Sequence, residues 1–302
     1  HVLPSGDSID LEGAFNIDNS GNAVFSGELI LKADDRKLNA SFRYDSESGL
    51  SVIAREGQVP PDGDGVFHTV FPTPSINDRG QYQFAPNVRS QGGAIEVGIF
   101  RSSQSGPTTL LTRTGDSLPD GGTVGLREYS PAFNDAGEAA FYGVVSGATD
   151  GLGNGGGFFL ADGISPLKTI VRERQSFPDG NGVFSLFGRH SLNNHGQIVF
   201  GTVLENTAAD AEDDVAIVRA SANGVQTIIA RLGHTIPGSD ARFLLTGIKF
   251  TNSQGIVRVS GARAASINDL GHVAFQSEFA RPGSNEVAGT GIFFWPFREF
   301  SG

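Results

Sequence analysis

The sequence predicts an all-β protein: a five-bladed β-propeller built from five four-stranded repeats of about 60 residues. Three observations predict it. One short phrase recurs five times at a nearly constant spacing. Every copy sits in the same succession of alternating apolar segments and turn residues, which is the signature of strands. No stretch carries a 3.6-residue apolar period of helical length.

The phrase reads "SINDRGQYQF" at 75–84, "AFNDAGEAAF" at 132–141 and "SINDLGHVAF" at 266–275, with looser copies "NIDNSGNAVF" at 16–25 and "SLNNHGQIVF" at 191–200. Its glycine falls at Gly21, Gly80, Gly137, Gly196 and Gly271, spacings of 59, 57, 59 and 75. Asn-Asp-x-Gly is turn chemistry. Asn and Asp bond their own backbone, and Gly supplies positive φ without steric cost. The turn therefore joins strand a to strand b, which ends in Val-Ala-Phe.

A second apolar strand follows: "ASFRY", "VGIF", "GGFFL", "VAIV" and "TGIFFW". This is strand c. Strand d is a β-branched run ending in arginine, at Arg55, Arg113, Arg172 and Arg231. A proline turn, as in "VPPDGDGVF" and "FPDGNGVF", leads to the next strand a. A single four-stranded sheet cannot bury both faces, whereas blades around an axis can. The blades run approximately 1–57, 58–115, 116–174, 175–233 and 234–302, as one domain. His1-Val-Leu-Pro4 aligns with His234-Thr-Ile-Pro237, and the final "FREFSG" reads as strand d of the fifth blade. Ring closure is therefore expected from blade 1 packing on blade 5. A pair of β-sandwiches or a β-solenoid is the alternative, but solenoid rungs are usually shorter than ~60 residues.

The fifth unit is about sixteen residues longer than the others. "FTNSQGIVRV" reads as a hairpin inserted at about 246–262. It is placed to cap the channel or to offer an edge through which copies of the chain associate as a homo-oligomer.

"GDSLPDGG" at 115–122, with "FNDAGEAAF" at 133–141 and "INDLGHVAF" at 267–275, resembles the Gly-Asp-x-x-Pro-Gly … Ile-Asn-Asp-x-Gly-x-Val-Ala-Phe repeats of secreted bacterial proteins of the PEP-CTERM or choice-of-anchor kind. The resemblance spans nearly the whole chain. It implies export and a surface or extracellular life, and it implies no activity. The strand order is also similar to that of NHL-type propellers, a likeness of fold alone.

A formal net charge of −11 opposes binding to nucleic acid or to an anionic membrane surface. No run of eighteen apolar residues is present to span a bilayer. The 302 residues include neither Cys nor Met. Thiol chemistry, disulfides and zinc thiolates are thus excluded. A start at His1 is expected of a processed product, and with the acidic, glycine-rich composition it points to secretion.

In a propeller the loops between strands b and c lie around the channel mouth. They differ in every repeat: "KADDRKLN", "RSQGGAIE", "SGATDGLGNGGG", "ENTAADAEDD" and "ARPGSNEVAGT". Variable loops on a repeated scaffold are where binding is expected. Asp150, Asn154, Glu205, Asp210 and Asn285 are the candidate ligand residues, with an extracellular glycan as the ligand. Calcium is the candidate cofactor, because Asp62, Asp64, Asp179, Asn181, Asp213 and Asp214 place oxygen donors beside flexible backbone. The alternative to a solvated acidic turn is thus a metal site at those six residues. Counting nine residues back from each turn glycine gives Glu12, Phe71, Glu128, Phe187 and Ala262. Glu12 and Glu128 are the acid pair of a polysaccharide hydrolase or lyase if the chain is an enzyme. A structural subunit of an extracellular assembly is the third reading. The repeated arginines are expected to pack their stems between blades and to set their heads on carbonyls or carboxylates.

Overall fold

The computed structural model describes residues 3, 5–70, 74–104, 106–127, 131–209, 212–245, 247–251, 257–261 and 265–296. Among them there is no α-helix, and every strand pairing is antiparallel. The chain divides into two compact units, residues 1–148 with 159–168 and residues 149–158 with 169–302.

Sheet I is a meander of β1 (Ser8–Ile17), β2 (Ala23–Ile30), β3 (Lys37–Asp45) and β4 (Gly49–Arg55). In sheet II both inner strands are split. β5 (Val66–Thr69) and β6 (Ser75–Ile76) together make strand a, and β7 (Gln81–Phe84) and β8 (Asn87–Arg89) make strand b. β9 (Ile95–Ser103) and β10 (Thr109–Arg113) complete it. Sheet III holds β11 (Thr123–Leu126), β12 (Ala132–Phe133), β13 (Ala139–Ser146), β14 (Gly155–Ala161) and β15 (Lys168–Arg172). Sheet IV is β16 (Val183–Leu192), β17 (Gln197–Glu205), β18 (Val215–Ser221) and β19 (Gln226–Arg231). Sheet V has β20 (Arg242–Leu244), β23 (Ser266–Ile267), β24 (Val273–Ala280) and β25 (Val287–Trp295). The expected fourth strand at "FREFSG" lies outside the described residues. The inserted hairpin is present in the backbone as β21 (Gly247–Thr251) paired with β22 (Val257–Gly261).

The phenylalanine of the repeated phrase sets the packing between neighbouring sheets. In unit 1, Phe84 and Phe100 stack at 5.6 Å and, with Phe67, cover Ala54 and Ile53 of sheet I. Phe141 and Phe159, 5.8 Å apart, cover Val97, Ile99 and Leu111 of sheet II. In unit 2, Phe275 and Phe293 stack at 5.5 Å against Val199, Val215, Ile217 and Ile229 of sheet IV. The junction thus has a direction: an aromatic face lies on the aliphatic face of the preceding sheet. Burying such rings is the dominant stabilising term here.

The a–b corners are linked in the same direction. Asn77 Oδ1 accepts from the N–H of Arg79 and Gln81 at 3.1 and 2.9 Å, closing its own turn. Its Nδ2 donates to Asn134 O of the following corner at 2.9 Å. The aspartate does something the sequence reading missed: it accepts from the preceding repeat. Asp78 takes the Asn19 N–H and Nδ2 at 3.1 and 2.6 Å, and Asp135 takes the Asp78 N–H at 2.9 Å. In unit 2, Asp269 takes both donors of Asn194, and Asn193 Nδ2 reaches Asn268 O. Within each unit, a corner therefore carries the donor for the next one.

Candidate functional site

Strand a departs from regular pairing in sheets I and IV. In sheet I, Leu11 to Phe15 faces Gly27 to Phe25, four residue steps against two. In sheet IV, Phe187 to His190 faces Thr202 to Phe200, three steps against two. Sheet II breaks between Thr69 and Ser75, sheet III between Leu126 and Ala132, and sheet V between Leu244 and Ser266, where the hairpin is inserted. Bulges re-aim side chains, and they gather next to functional sites.

Of the column that contains the candidate acids, the positions of Glu12 and Phe187 are described. Glu12 lies within the bulge of β1. Glu128, Phe71 and Ala262 lie outside the described residues. Phe187 sits in the bulge of β16, with its ring 5.3 Å from Phe158, 5.8 Å from Phe184 and 5.6 Å from Phe200. That bulge is braced. Thr202 Oγ1 donates to Leu186 O at 2.9 Å, and the backbone of Gly188 comes so close to Gly201 O that a Cβ would be 3.3 Å from it. The next residue, Arg189, is exposed. A count of nine back from the turn glycine lands on Phe187, two residues past it.

Three of the four repeated arginines set their heads on carboxylates or carbonyls, as expected of them. Arg113 Nη1 bonds Asp62 and Asp64 at 2.9 and 3.0 Å, with Glu96 at 3.7 Å. Arg172, nearly buried, bonds Asp150 at 3.0 Å and Gly153 O at 2.7 Å. Arg231 is fully buried. It bonds Asp179 at 2.5 Å, Asp213 at 3.3 Å and Asn181 O at 2.9 Å, and its guanidinium lies 5.1 Å from the Phe177 ring. Asn181 ties the two sides together, donating to Asp213 and accepting from Ala208 N–H. Burial opposes the charge on Asp213, but hydrogen bonds from Thr207 and Asn181 and the Arg231 charge outweigh it and hold the pKa below the ordinary carboxylate value.

Five of the six candidate calcium ligands thus face a guanidinium or its partners, and Asp214 contributes its backbone carbonyl to Leu204 N–H. Among the described residues no three His, Asp or Glu side chains converge as a metal site. Of the candidate ligand residues, Asp150 is paired with Arg172. Asn154 O accepts from Arg174 at 2.6 Å, Glu205 accepts from Ser185 at 2.9 Å, and Asn285 accepts from Arg242 at 3.1 Å. Asp210 lies outside the described residues. Arg174 occupies the place of Gly57, Gly115 and Gly233 in the other repeats and takes their left-handed backbone, at φ 66°. That conformation is costly for a side chain with a Cβ, and here the guanidinium bridges Leu152 O and Asn154 O.

The chain belongs to a family of unknown function, DUF7453, whose model matches residues 9–295. No curated protein matches it. Among solved structures it is similar to an α-L-arabinanase of Penicillium chrysogenum complexed with arabinobiose, at 11% identity over 97% of this chain and 96% of that one, with a TM-score of 0.34. It is similar to an acylaminoacyl peptidase of Pyrococcus horikoshii, at 11% identity over 96% of this chain and 45% of that one, with a TM-score of 0.44. The polysaccharide lyase Uly1 is 13% identical over 93% of this chain and 56% of its own, with a TM-score of 0.39. No helix among the described residues is long and apolar enough to cross a membrane.

Proposed function

We propose that the five sheets close into a five-bladed β-propeller that acts outside the cell, secreted or on a cell surface, as a saccharide-binding module. Its ligand face is the set of loops between strands b and c. One observation carries this reading: those loops differ in every repeat, yet buried arginines hold two of them in set shapes, through Asp150 and Asp213. Loops fixed before binding lose less entropy when a ligand arrives. Carboxylates and amides such as Glu205, Asp150, Asn154 and Asn285 suit a polyhydroxylated ligand. The loops contain no Trp or Tyr, so affinity comes from hydrogen bonding rather than stacking.

Closure of the ring follows the direction of the junctions. The aromatic side of sheet I leaves Leu11, Phe15 and Ile17 59–70% exposed. The opposite side of sheet V leaves Ile292 and Phe294 71% and 59% exposed. Asn268 is exposed where Asn77, Asn134 and Asn193 are buried. A last blade that donates to the first supplies what each lacks.

A second reading is a polysaccharide hydrolase or lyase using Glu12 and Glu128, and the recurrent interruption of the inner strand favours it. A glycan array probed with and without calcium tests both. Binding to a defined saccharide set is expected. A blank array in both conditions overturns the binding reading. Cleavage of a bound saccharide that is lost in Glu12→Gln and Glu128→Gln moves the assignment to the enzyme.

A further inference from the structure

The bulge of β16 places one cation in solvent, and its construction is too deliberate for an ordinary surface residue. An exposed arginine usually drifts in water. Arg189, by contrast, stands on backbone fixed from three directions. Phe187 before it is set among Phe158, Phe184 and Phe200. Gly188 is pressed on Gly201, and Thr202 satisfies the carbonyl of Leu186. Among the described residues no carboxylate or carbonyl accepts from the Arg189 side chain, although Arg113, Arg172 and Arg231 are all engaged. The strand therefore gives up regular pairing at a residue whose guanidinium has no acceptor among the described residues. β22 of the inserted hairpin runs beside β16 and β17, so the same edge also has a wall.

We infer that Arg189 recognises the carboxylate of an acidic sugar. A guanidinium matches a carboxylate through two parallel N–H···O bonds, which a neutral hexose cannot return. The protein's own charge of −11 limits the ligand further. A polyanionic chain is repelled as a whole, whereas a saccharide ending in one uronate is not. The ligand class is thus a neutral chain with a single terminal uronic acid. This inference rests on the saccharide-binding reading above.

The test compares glucuronate- and galacturonate-terminated oligosaccharides with their glucose- and galactose-terminated counterparts by titration calorimetry, on the full chain and on Arg189→Gln and Arg189→Lys. The wild type is expected to prefer the uronate forms at least ten-fold. Arg189→Gln is expected to lose that preference while keeping its melting temperature and its affinity for neutral chains, and Arg189→Lys to retain part of it. Equal preference in wild type and Arg189→Gln overturns the role of Arg189. Binding of neutral chains alone overturns the ligand class and leaves the saccharide reading standing. Binding of neither overturns both.

Discussion

The corners and the upper loops of this chain are built from the same residue types, and they use them in opposite ways. At the corners, Asp78, Asp135 and Asp269 receive neutral N–H donors from the preceding repeat, near the surface. In the loops, Asp62, Asp150, Asp179 and Asp213 receive guanidinium groups, two of which are buried. The corner repeats because the junctions between sheets within each unit use it. The loops share only the arginine, and each finds its own acids. A uniform element can thus be spent on assembly, and a clamped but variable one is left for recognition.

Breaking a clamp is expected to have the largest effect. Arg231→Met removes the charge from a fully buried position and leaves Asp179 and Asp213 facing one another without a cation. Stranding one side of a buried ion pair typically costs about 3–5 kcal/mol. Urea unfolding should show a loss of that order. A loss below about 1 kcal/mol would mean that the loop is not held by this pair, and the contrast with the corners would fail.

Breaking a corner comes next. Asn77→Ala removes two turn-closing bonds and one of the two donors to the buried Asn134 O, which keeps the Gly137 N–H. A loss of about 1–3 kcal/mol is expected. Asn268→Ala sharpens the comparison. Asn268 closes its own turn in the same way, through the N–H of Leu270 and His272, but is exposed. If the fifth blade donates to the first, the two variants lose similar amounts. If the ring is open, Asn268→Ala loses clearly less.

What could be read from the sequence followed from how local the physics is. The glycine, asparagine and phenylalanine of the phrase were legible because each answers to its own turn or its own face. The hairpin at 247–261 was legible as a break in spacing. The partners of the arginines were not legible: Arg113 and Asp62, or Arg231 and Asp179, are about fifty residues apart, and no local pattern marks them. The acidic turns therefore read as candidate cation ligands, and the arginines that face five of those six residues were not visible beside them. Arg189 was hidden because a bulge shifts the strand, so a fixed count from the glycine cannot find the residue that the bulge re-aims. The aspartate of the corner was misjudged for a related reason. Its partner belongs to the previous copy, and a repeat read one copy at a time does not reveal what passes between copies.

The smallest effect is acid titration, and it tests the clamped loop. The folded pKa of Asp213 lies below its ordinary value, so its protonation opposes folding. The stability it contributes is fully present above the ordinary carboxylate range and is lost as pH falls through the lower folded value. Asp45 behaves in the same way: bonds from Ser48, first from its side chain and then from its backbone, outweigh desolvation and hold its carboxyl low. Stability should therefore be flat from neutral pH to about pH 5 and should fall below about pH 4. Asp213→Asn should make that acid limb shallower while keeping the bond to Asn181 in modified form. Chemical unfolding measured across pH 2–7 decides it. If Asp213→Asn leaves the acid limb as steep as in the wild type, the Asp213 carboxylate does not hold its loop, and the division of labour drawn between corners and loops does not hold.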